Sequence, residues 1–380
     1  MSDDFFNKLF GDSESTDLGT GWVSGTASVF FGMLALGGVL TLHFPGLLTL
    51  PEARAAYPVG VIRLIIQGTI AAALVLGAIS AILRERKVLG LTGAALGLLA
   101  VLLGGASTPL PDQIGSKIGI GFDWFLLDLL VMTVVFVPVE RLWPRHPEQG
   151  TFRPEWTTDA FYFVATHLPA QLTTFAILLP ATFASKWFAI PALAETVGGL
   201  PFIVQFPLAI VVADLCQYAI HRAFHKISFL WPFHAVHHSI KTMDWIAGSR
   251  SHFVDILVTR SLILIPMTLL GFTQLVMASY LIFVAFHATF SHTDFRPRTR
   301  WLEPYFVTCR YHHWHHAADP EAADVNFAIH FPFIDRLFGT YYLPKDAWPE
   351  SYGLIGASMP PGFFRQFVYP FKRKKAPVTE

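Results

Sequence analysis

Eight apolar runs, at residues 23–43, 60–83, 88–105, 122–139, 158–184, 201–220, 253–271 and 273–291, limit what this chain can become. About 20 apolar residues in a helix cross a hydrocarbon core of about 30 Å. Inside lipid the backbone polar groups must be satisfied within the chain, and continuous apolar runs meet that requirement as helices. The chain is 53% hydrophobic and only 14% charged, against roughly 25% charged residues in soluble domains. The expected fold is an all-α, polytopic membrane helix bundle with about 6–8 spans. The last two runs are separated only by Gly271-Phe272-Thr273, so they form either a hairpin or two independent spans.

The positive-inside rule orients these spans. RERK (84–87), ERLWPRHPEQGTFRPEW (140–156), HRAFHK (221–226), RPRTR (296–300) and the tail KRKK fall on one side if the N-terminus is cytoplasmic. The opposite loops, GGASTPLPDQIGSK and SKWFAIPALAETVGG, carry few positive charges. The N-terminus MSDDFFNKLFGDSESTDLGTGW is acidic, without a basic region or small-residue cleavage site, and is expected not to be a cleaved signal peptide. Formal net charge is zero, which implies no nucleic-acid partner. Three regions are expected: an N-terminal transmembrane extension of about three spans (1–120), a region carrying the chemistry (121–345), and a Pro-rich basic tail lying along the membrane surface (346–380).

Histidines are concentrated in the second region. Sixteen occur in the chain, and all but His43, His146, His167 and His330 lie between 221 and 316. His221 and His225 are spaced i, i+4, and would share one face of a helix. His234, His237 and His238 are spaced i, i+3, i+4, and His312, His315 and His316 repeat that spacing. His287 and His292 form a fourth candidate group. Five residues place them about 140° apart on a regular helix, so they can share a site only if the helix ends or bulges there. The four isolated histidines read as interfacial or core residues. His252 and His313 stay undecided; His313 lies off the face of His312 and His316, which suits contact with a ligand or substrate better than ligation.

Neutral imidazole binds iron, zinc and copper well. Eight to ten nitrogens exceed the capacity of one ion, so two ions are implied. A closed structural zinc site would usually include cysteine, but Cys216 and Cys309 stand alone and match no CxxC pattern. The H-E-x-x-H of zinc proteases is absent, and so are the glutamates of soluble di-iron bundles. These observations leave an all-histidine dinuclear centre at the membrane interface, on the cytoplasmic side. Asp214, seven residues before His221 in an apolar run, is a functional candidate because a carboxylate within a span is costly. It could hydrogen-bond a ligand imidazole and fix its tautomer. Asp123 and Asp128 could face a bundle interior and have no evident chemical role. Trp231, Pro232, Phe233, Trp245, Trp301 and Trp314 suit a cap at the headgroup level, and equally suit simple interfacial anchoring.

Over roughly 121–345 the chain resembles the fatty acid hydroxylase/sterol desaturase superfamily. VERLWPRHPEQGTFRPEWTTDAFYF, ADLCQYAIHRAFH, WPFHAVHHS, FSHTDFR, TCRYHHWHH and NFAIHFPFIDRLFGTYY carry the likeness, in boxes and in order. The resemblance implies that His221 and His225 form a first ligand box, His234, His237 and His238 a second, and His312, His315 and His316 the last. His292 falls where members often have a histidine, and His287 fits more loosely. Cys309 stands where proline is common and Ile334 where tryptophan is common; neither removes a ligand. Asn326 and Asp335, in the closing motif, are expected to brace the cap.

The same resemblance implies two iron ions, O2 as co-substrate, and hydroxylation or desaturation of an unactivated C–H bond in a lipid drawn from the bilayer. The substrate class stays open among sterols, fatty acyl chains, sphingoid bases, ether lipids, ornithine lipids and carotenoids. The chain has no cysteine set for a ferredoxin, no Gly-rich nucleotide motif and no haem-domain motif. Electrons are therefore expected from a separate ferredoxin or cytochrome b5 with its reductase. A bacterial inner membrane is the expected location, with the endoplasmic reticulum as the alternative. Two other functions compete. A metal transporter or sensor should place its ligands near the bilayer midplane, not at helix ends and loops. A membrane zinc hydrolase would need a general base that no motif supplies.

Overall fold

The computed structural model describes residues 18–50, 54, 58–111, 119–168, 170–296 and 300–372. The N-terminal segment discussed above, apart from its last residues, and the basic tail beyond Lys372 lie outside the described residues. Among the described residues the secondary structure is helical, with two isolated bridge pairs, Pro144–Phe295 and Ala317–Tyr352. Six helices are long and apolar enough to cross a membrane: α1 (Trp22–His43), α2 (Val59–Leu83), the segment Val88–Ser107 that begins with α3 (Val88–Leu102), α4 (Phe122–Leu142), a helix at Phe202–Lys226 and another at Gln274–His292. The protein is a polytopic helical membrane protein.

Two of the expected runs form differently. The run 158–184 is two helices, α5 (Trp156–His167) and α6 (Ala170–Phe188). Pro169 falls in the gap, and a proline disfavours helical conformation in the residue before it. The run 253–271 forms a helix of 17 residues, shorter than the six spans. The remaining elements are α7 (Pro191–Gly198), α8 (Phe202–Lys226), α9 (Phe253–Leu269), α10 (Gln274–His292), α11 (Cys309–His315), α12 (Pro332–Phe338) and α13 (Phe363–Lys372).

The chain divides into two compact units. One comprises residues up to Val131 with the link at 168–171; the other comprises Met132–His167 and the residues after 171. In the first unit α1, α2 and α3 pack closely through small residues. A Cβ on Gly77 would stand 2.7 Å from the Gly90 carbonyl oxygen, and one on Gly32 2.8 Å from that of Gly93. Small residues let helix backbones approach in lipid, where dispersion contacts replace the hydrophobic drive. Ser28 adds a hydrogen bond from its Oγ to Ala73 O at 2.7 Å. No histidine cluster lies in this unit among the described residues.

The second unit carries the histidines. Its apolar core joins Ala209, Ile210 and Ala213 of α8 to Ile263 and Met267 of α9 and to Val276 and Tyr280 of α10. The turn at Gly271-Phe272-Thr273 joins α9 to α10, and both helices pack on α8. Gly271 takes φ +73°, and a Cβ there would stand 2.6 Å from Ala194 O, so both conformation and space call for glycine. Gln205 secures the same end. Its amide donates to Gly198 O and Leu200 O, and its Oε1 accepts from the Thr273 N–H. The far ends of α8 and α10 are where the histidines begin.

Candidate metal centre

Four segments bring the histidines together. His221 and His225 occupy the last turns of α8. His234 ends the one-turn helix Trp231–His234, and His237 and His238 begin a 3-10 turn. His292 is the last residue of α10. His312 and His315 lie on α11, with His316 as its cap. The boxes do not map one to one onto ions. Because neighbouring residues on a turn point different ways, each of the last two boxes is shared between two groups. His221, His225, His234, His238 and His315 form the first group; His237, His292, His312 and His316 form the second. Within each group the ligand atoms lie within 4.8 Å of one another. Nearly all of these rings are buried.

Hydrogen bonds fix which ring nitrogen faces inward. His221 Nδ1–H donates to Phe327 O at 2.8 Å, His315 Nδ1–H to Val325 O at 2.7 Å and His292 Nδ1–H to Ala288 O at 2.7 Å. His237 Nδ1–H donates to Arg250 O at 3.1 Å. His234 Nδ1–H meets the Asp255 carboxylate at 2.7 Å and His225 Nδ1–H that of Asp324 at 3.1 Å. Since carbonyls and carboxylates only accept, Nδ1 of each of these rings carries a proton, and Nε2 is the nitrogen left to ligate. Those Nε2 atoms then crowd together. His221 Nε2 lies 2.9 Å from His234 Nε2, and His292 Nε2 lies 3.3 Å from His237 Nε2 and 3.1 Å from His312 Nε2. The Nε2 atoms of His225, His238 and His315 are buried with no hydrogen-bond partner.

Such a set of converging lone pairs is repulsive without a cation between them, so the residues fit bound metal. Burial first, and then the neighbouring imidazoles, hold His237, His238, His312, His315 and His316 well below the usual histidine range. These rings are therefore neutral, the form that ligates. Nine nitrogens in groups of five and four are a donor set for two ions.

The residues that hold the ligands complete the centre. Asp324 and Asn326 both take φ +57°, which aspartate and asparagine tolerate better than most. This bent loop delivers the Asp324 carboxylate and the carbonyls of Val325 and Phe327 to His225, His315 and His221. Asn326 bonds Tyr311 O and the backbone of Tyr342, and Asp335 accepts from the N–H groups of Phe327 and Ala328 and from the hydroxyls of Tyr311 and Thr340. On the other side, Arg250 is fully buried against Asp159, and Arg153 pairs with both Asp159 and Asp244. That network fixes the Arg250 carbonyl on His237.

Nine of the ten histidines named from the sequence enter the two groups, and His287 does not. The helix α10 runs regularly to His292, so a separation of five residues turns His287 away, where it pairs with His330 at 2.7 Å. Asp214 does not bond a ligand imidazole. Its carboxylate accepts from the N–H groups of Ile329, His330 and Phe331, so it holds the closing loop instead. His252 caps α9 by accepting the Val254 N–H, and donates to Phe367 O. His313 is buried against the Tyr352 hydroxyl and outside both groups. His43 bonds Leu103 O, His146 bonds Asp294, and His167 stacks on Phe163. Sequence reading missed Asp255, Asp324, Arg250 and Asp159. The rule that singled out Asp214 applies equally to Asp159 and Asp255, which lie in the apolar runs 158–184 and 253–271; nothing local marks Asp324.

Comparison with known proteins agrees with this geometry. The fatty acid hydroxylase family model matches residues 206–340, which hold all nine converging histidines. Ornithine lipid hydroxylase OlsE of Rhizobium tropici is 33% identical over 255 residues, covering 66% of this chain and 76% of OlsE. The chain belongs to the fatty acid hydroxylase family. Alkylglycerol monooxygenases of Danio rerio and Xenopus tropicalis are more distant members, 29% and 26% identical over 172 and 139 residues. Those matches cover 43% and 37% of this chain, and 36% and 31% of the relatives, so the chain spans about a third of their length. No solved structure matches.

Proposed function

We propose that the protein is an O2-dependent di-iron hydroxylase of a membrane lipid. The observation that carries this reading is the set of nine imidazoles whose ring nitrogens converge in groups of five and four. Bound there, two iron ions would supply the redox chemistry needed to oxidise an unactivated C–H bond with O2, which zinc lacks. The balanced reaction is R–H + O2 + 2 e⁻ + 2 H⁺ → R–OH + H2O. The electrons come from a separate ferredoxin or cytochrome b5 with its reductase, since the chain has no motif for a redox cofactor of its own.

The chain's own residues hold and orient the ligands. The carbonyls of Val325, Phe327, Arg250 and Ala288 and the carboxylates of Asp255 and Asp324 hold the Nδ1–H of His315, His221, His237, His292, His234 and His225, so that Nε2 of these six points inward. Phe327 is fully buried and packs its ring on His221, His225 and His315, and Trp231 packs on His225 and His238, which excludes water from the first group.

The relatives' names guide the choice of substrate. The fuller coverage of OlsE supports an ornithine-type aminolipid as the first substrate to test, and the alkylglycerol monooxygenases support an ether lipid as the second. Both names speak for hydroxylation over desaturation. The basic loops support a centre on the cytoplasmic side, and the bacterial relative OlsE supports a bacterial inner membrane. Residues 121–345 are proposed as the catalytic domain and 1–120 as a transmembrane extension. The test is growth of an expressing strain under ¹⁸O2 with mass spectrometry of its lipids. One ¹⁸O per product lipid, absent in His315→Ala, is expected. Activity that persists with zinc and without O2 would sink the reading in favour of a hydrolase.

A further inference from the structure

The end of α4 and the loops that follow His237–Ser239 and His292 enclose a polar recess, whose lining includes Glu140, Arg141, Gln149, Asp244, Trp245 and Asp294. We propose that this recess seats the headgroup of a zwitterionic aminolipid, its ammonium on the Glu140 carboxylate and its carboxylate on the Arg141 guanidinium. The proposal rests on the lipid-hydroxylase reading and names the class of lipid that such an enzyme takes. The recess encloses about 90 Å³, and a single water needs about 10–15 Å³, so it has room for several small polar groups. Its walls are continuous with the second histidine group. Asp294 follows His292 by two residues, and the turn after Trp245 brings Gly248 so close that a Cβ there would stand 3.0 Å from His292 Nδ1. Leu142 and Trp143, which follow Arg141, are 66% and 56% exposed, as suits apolar side chains at the lipid boundary.

The recess holds three carboxylates, and two of them are matched. Asp244 accepts two hydrogen bonds from Arg153 and one from the Ala247 N–H. Asp294 accepts the His146 N–H on one oxygen and meets His146 Nδ1 with the other. Glu140 differs. Its Oε1 accepts from the N–H groups of Trp245 and Asp294, at 2.7 and 3.0 Å, which fixes the side chain. Among the described residues its Oε2 has no hydrogen-bond partner, and no cation pairs with it. Largely buried charges are seldom left without a counter-charge, so this oxygen, facing open space, is a docking point for a cation. A metal ion is not the favoured occupant, because the sets of His, Cys, Asp and Glu that could hold one among the described residues are the two histidine groups. The exposed Arg141 guanidinium lines the same recess and bonds Gln149 O at 3.5 Å, with no carboxylate paired to it among the described residues. A carboxylate without a cation beside a guanidinium without an anion is the complement of a group that carries both charges. An N-acylated ornithine carries that pair, a side-chain ammonium and a free carboxylate, whereas an alkylglycerol carries neither.

The test compares two ligands on the full chain, loaded with zinc and held in lipid nanodiscs, with empty nanodiscs as the blank. Nα-octanoyl-ornithine carries both charges; Nα-octanoyl-norvaline has the same chain and carboxylate without the ammonium. Equilibrium binding of the ¹⁴C-labelled compounds should show the ornithine compound bound about ten-fold or more tightly, the gain expected from a hydrogen bond between charged groups. Glu140→Gln keeps an acceptor for the N–H groups of Trp245 and Asp294 and should abolish that preference. Arg141→Gln should weaken both compounds alike, by about two- to five-fold. Equal binding of the two compounds to the wild type would overturn the proposal, and so would a preference that survives in Glu140→Gln. The wild-type comparison decides the matter even where a variant fails to fold. Lipid labelling under ¹⁸O2 is read separately. Equal binding with labelling retained overturns the headgroup site alone; selective binding without labelling supports the site and overturns the hydroxylase reading.

Discussion

Removing the carboxylate behind His234 should weaken metal binding far more than removing the one behind His225. Asp255 meets His234 Nδ1–H at 2.7 Å with an 11% exposed side chain, and Thr259 steadies its other oxygen. Asp324 meets His225 Nδ1–H at 3.1 Å, is 39% exposed and shares its charge with Lys226. A hydrogen bond to a buried charge contributes about 1.5–3 kcal/mol, or a factor of roughly 10–150 in affinity. Loss of such a partner typically costs a metal site about 10–100-fold. An exposed ion pair contributes about 0–1 kcal/mol, at most a factor of about five. Asp255→Ala should therefore weaken the first ion's affinity about 10–100-fold, and Asp324→Ala at most about five-fold. Asp255→Asn, which keeps an acceptor but loses the charge, should fall between the wild type and Asp255→Ala. The assay is competitive titration of the purified chain against a chelator of known affinity. An Asp255→Ala affinity within two-fold of wild type, or an Asp324→Ala loss as large as that of Asp255→Ala, would refute the account of how these rings are held.

Acid should destabilise the metal-free protein. His237, His238, His312, His315 and His316 have lowered folded-state values, through burial first and then neighbouring imidazoles, so below pH about 6.5 the unfolded chain binds more protons and stability falls with pH, by up to about 1.4 kcal/mol per unit per histidine. Melting followed by size-exclusion chromatography at pH 7.5 and 5.5 should give a lower midpoint in acid; an unchanged or higher one contradicts this sign. Arg250→Leu deprives the fully buried Asp159 of one of its two cations and should cost about 3–5 kcal/mol, read as a lower melting temperature, with only partial recovery in Arg250→Lys. Gly93→Ala places a methyl group onto the backbone and Oγ of Ser28 and should cost about 1–3 kcal/mol in the first unit, read as lower yield and melting temperature. Gly68→Ala, with open space around it, should change neither.

The apolar helices and the clustering of the histidines were legible because each leaves a local pattern in the sequence. Apolar runs of about 20 residues mark helices, and H-x3-H and H-x2-HH place imidazoles on adjacent turns. Other features were not legible. The partition into two groups depends on how the turn at His237–Ser239 and the end of α11 aim neighbouring rings, so His237 and His238 part company despite being adjacent. His287 was grouped with His292 on the condition that the helix ends or bulges between them, and α10 instead runs regularly to His292, which turns His287 away. Asp214 was recognised as a costly carboxylate within an apolar run, but its partners are backbone N–H groups 115 to 117 residues later, which no local pattern reveals. The partners of Asp255 and Asp324 were hidden for the same reason: the rings they hold lie 21 and 99 residues away.

The most direct test of the central claim is metal stoichiometry with one group broken at a time. Iron and zinc would be counted by mass spectrometry in chain purified after growth with iron, for wild type, His238→Ala and His312→Ala. The account expects about two iron ions per wild-type chain. It expects about one in each variant, with the remaining ion in different surroundings in the two variants, as read by Mössbauer spectroscopy. One ion in the wild type, or identical surroundings for the ion left in both variants, would contradict a centre built from two separate histidine groups.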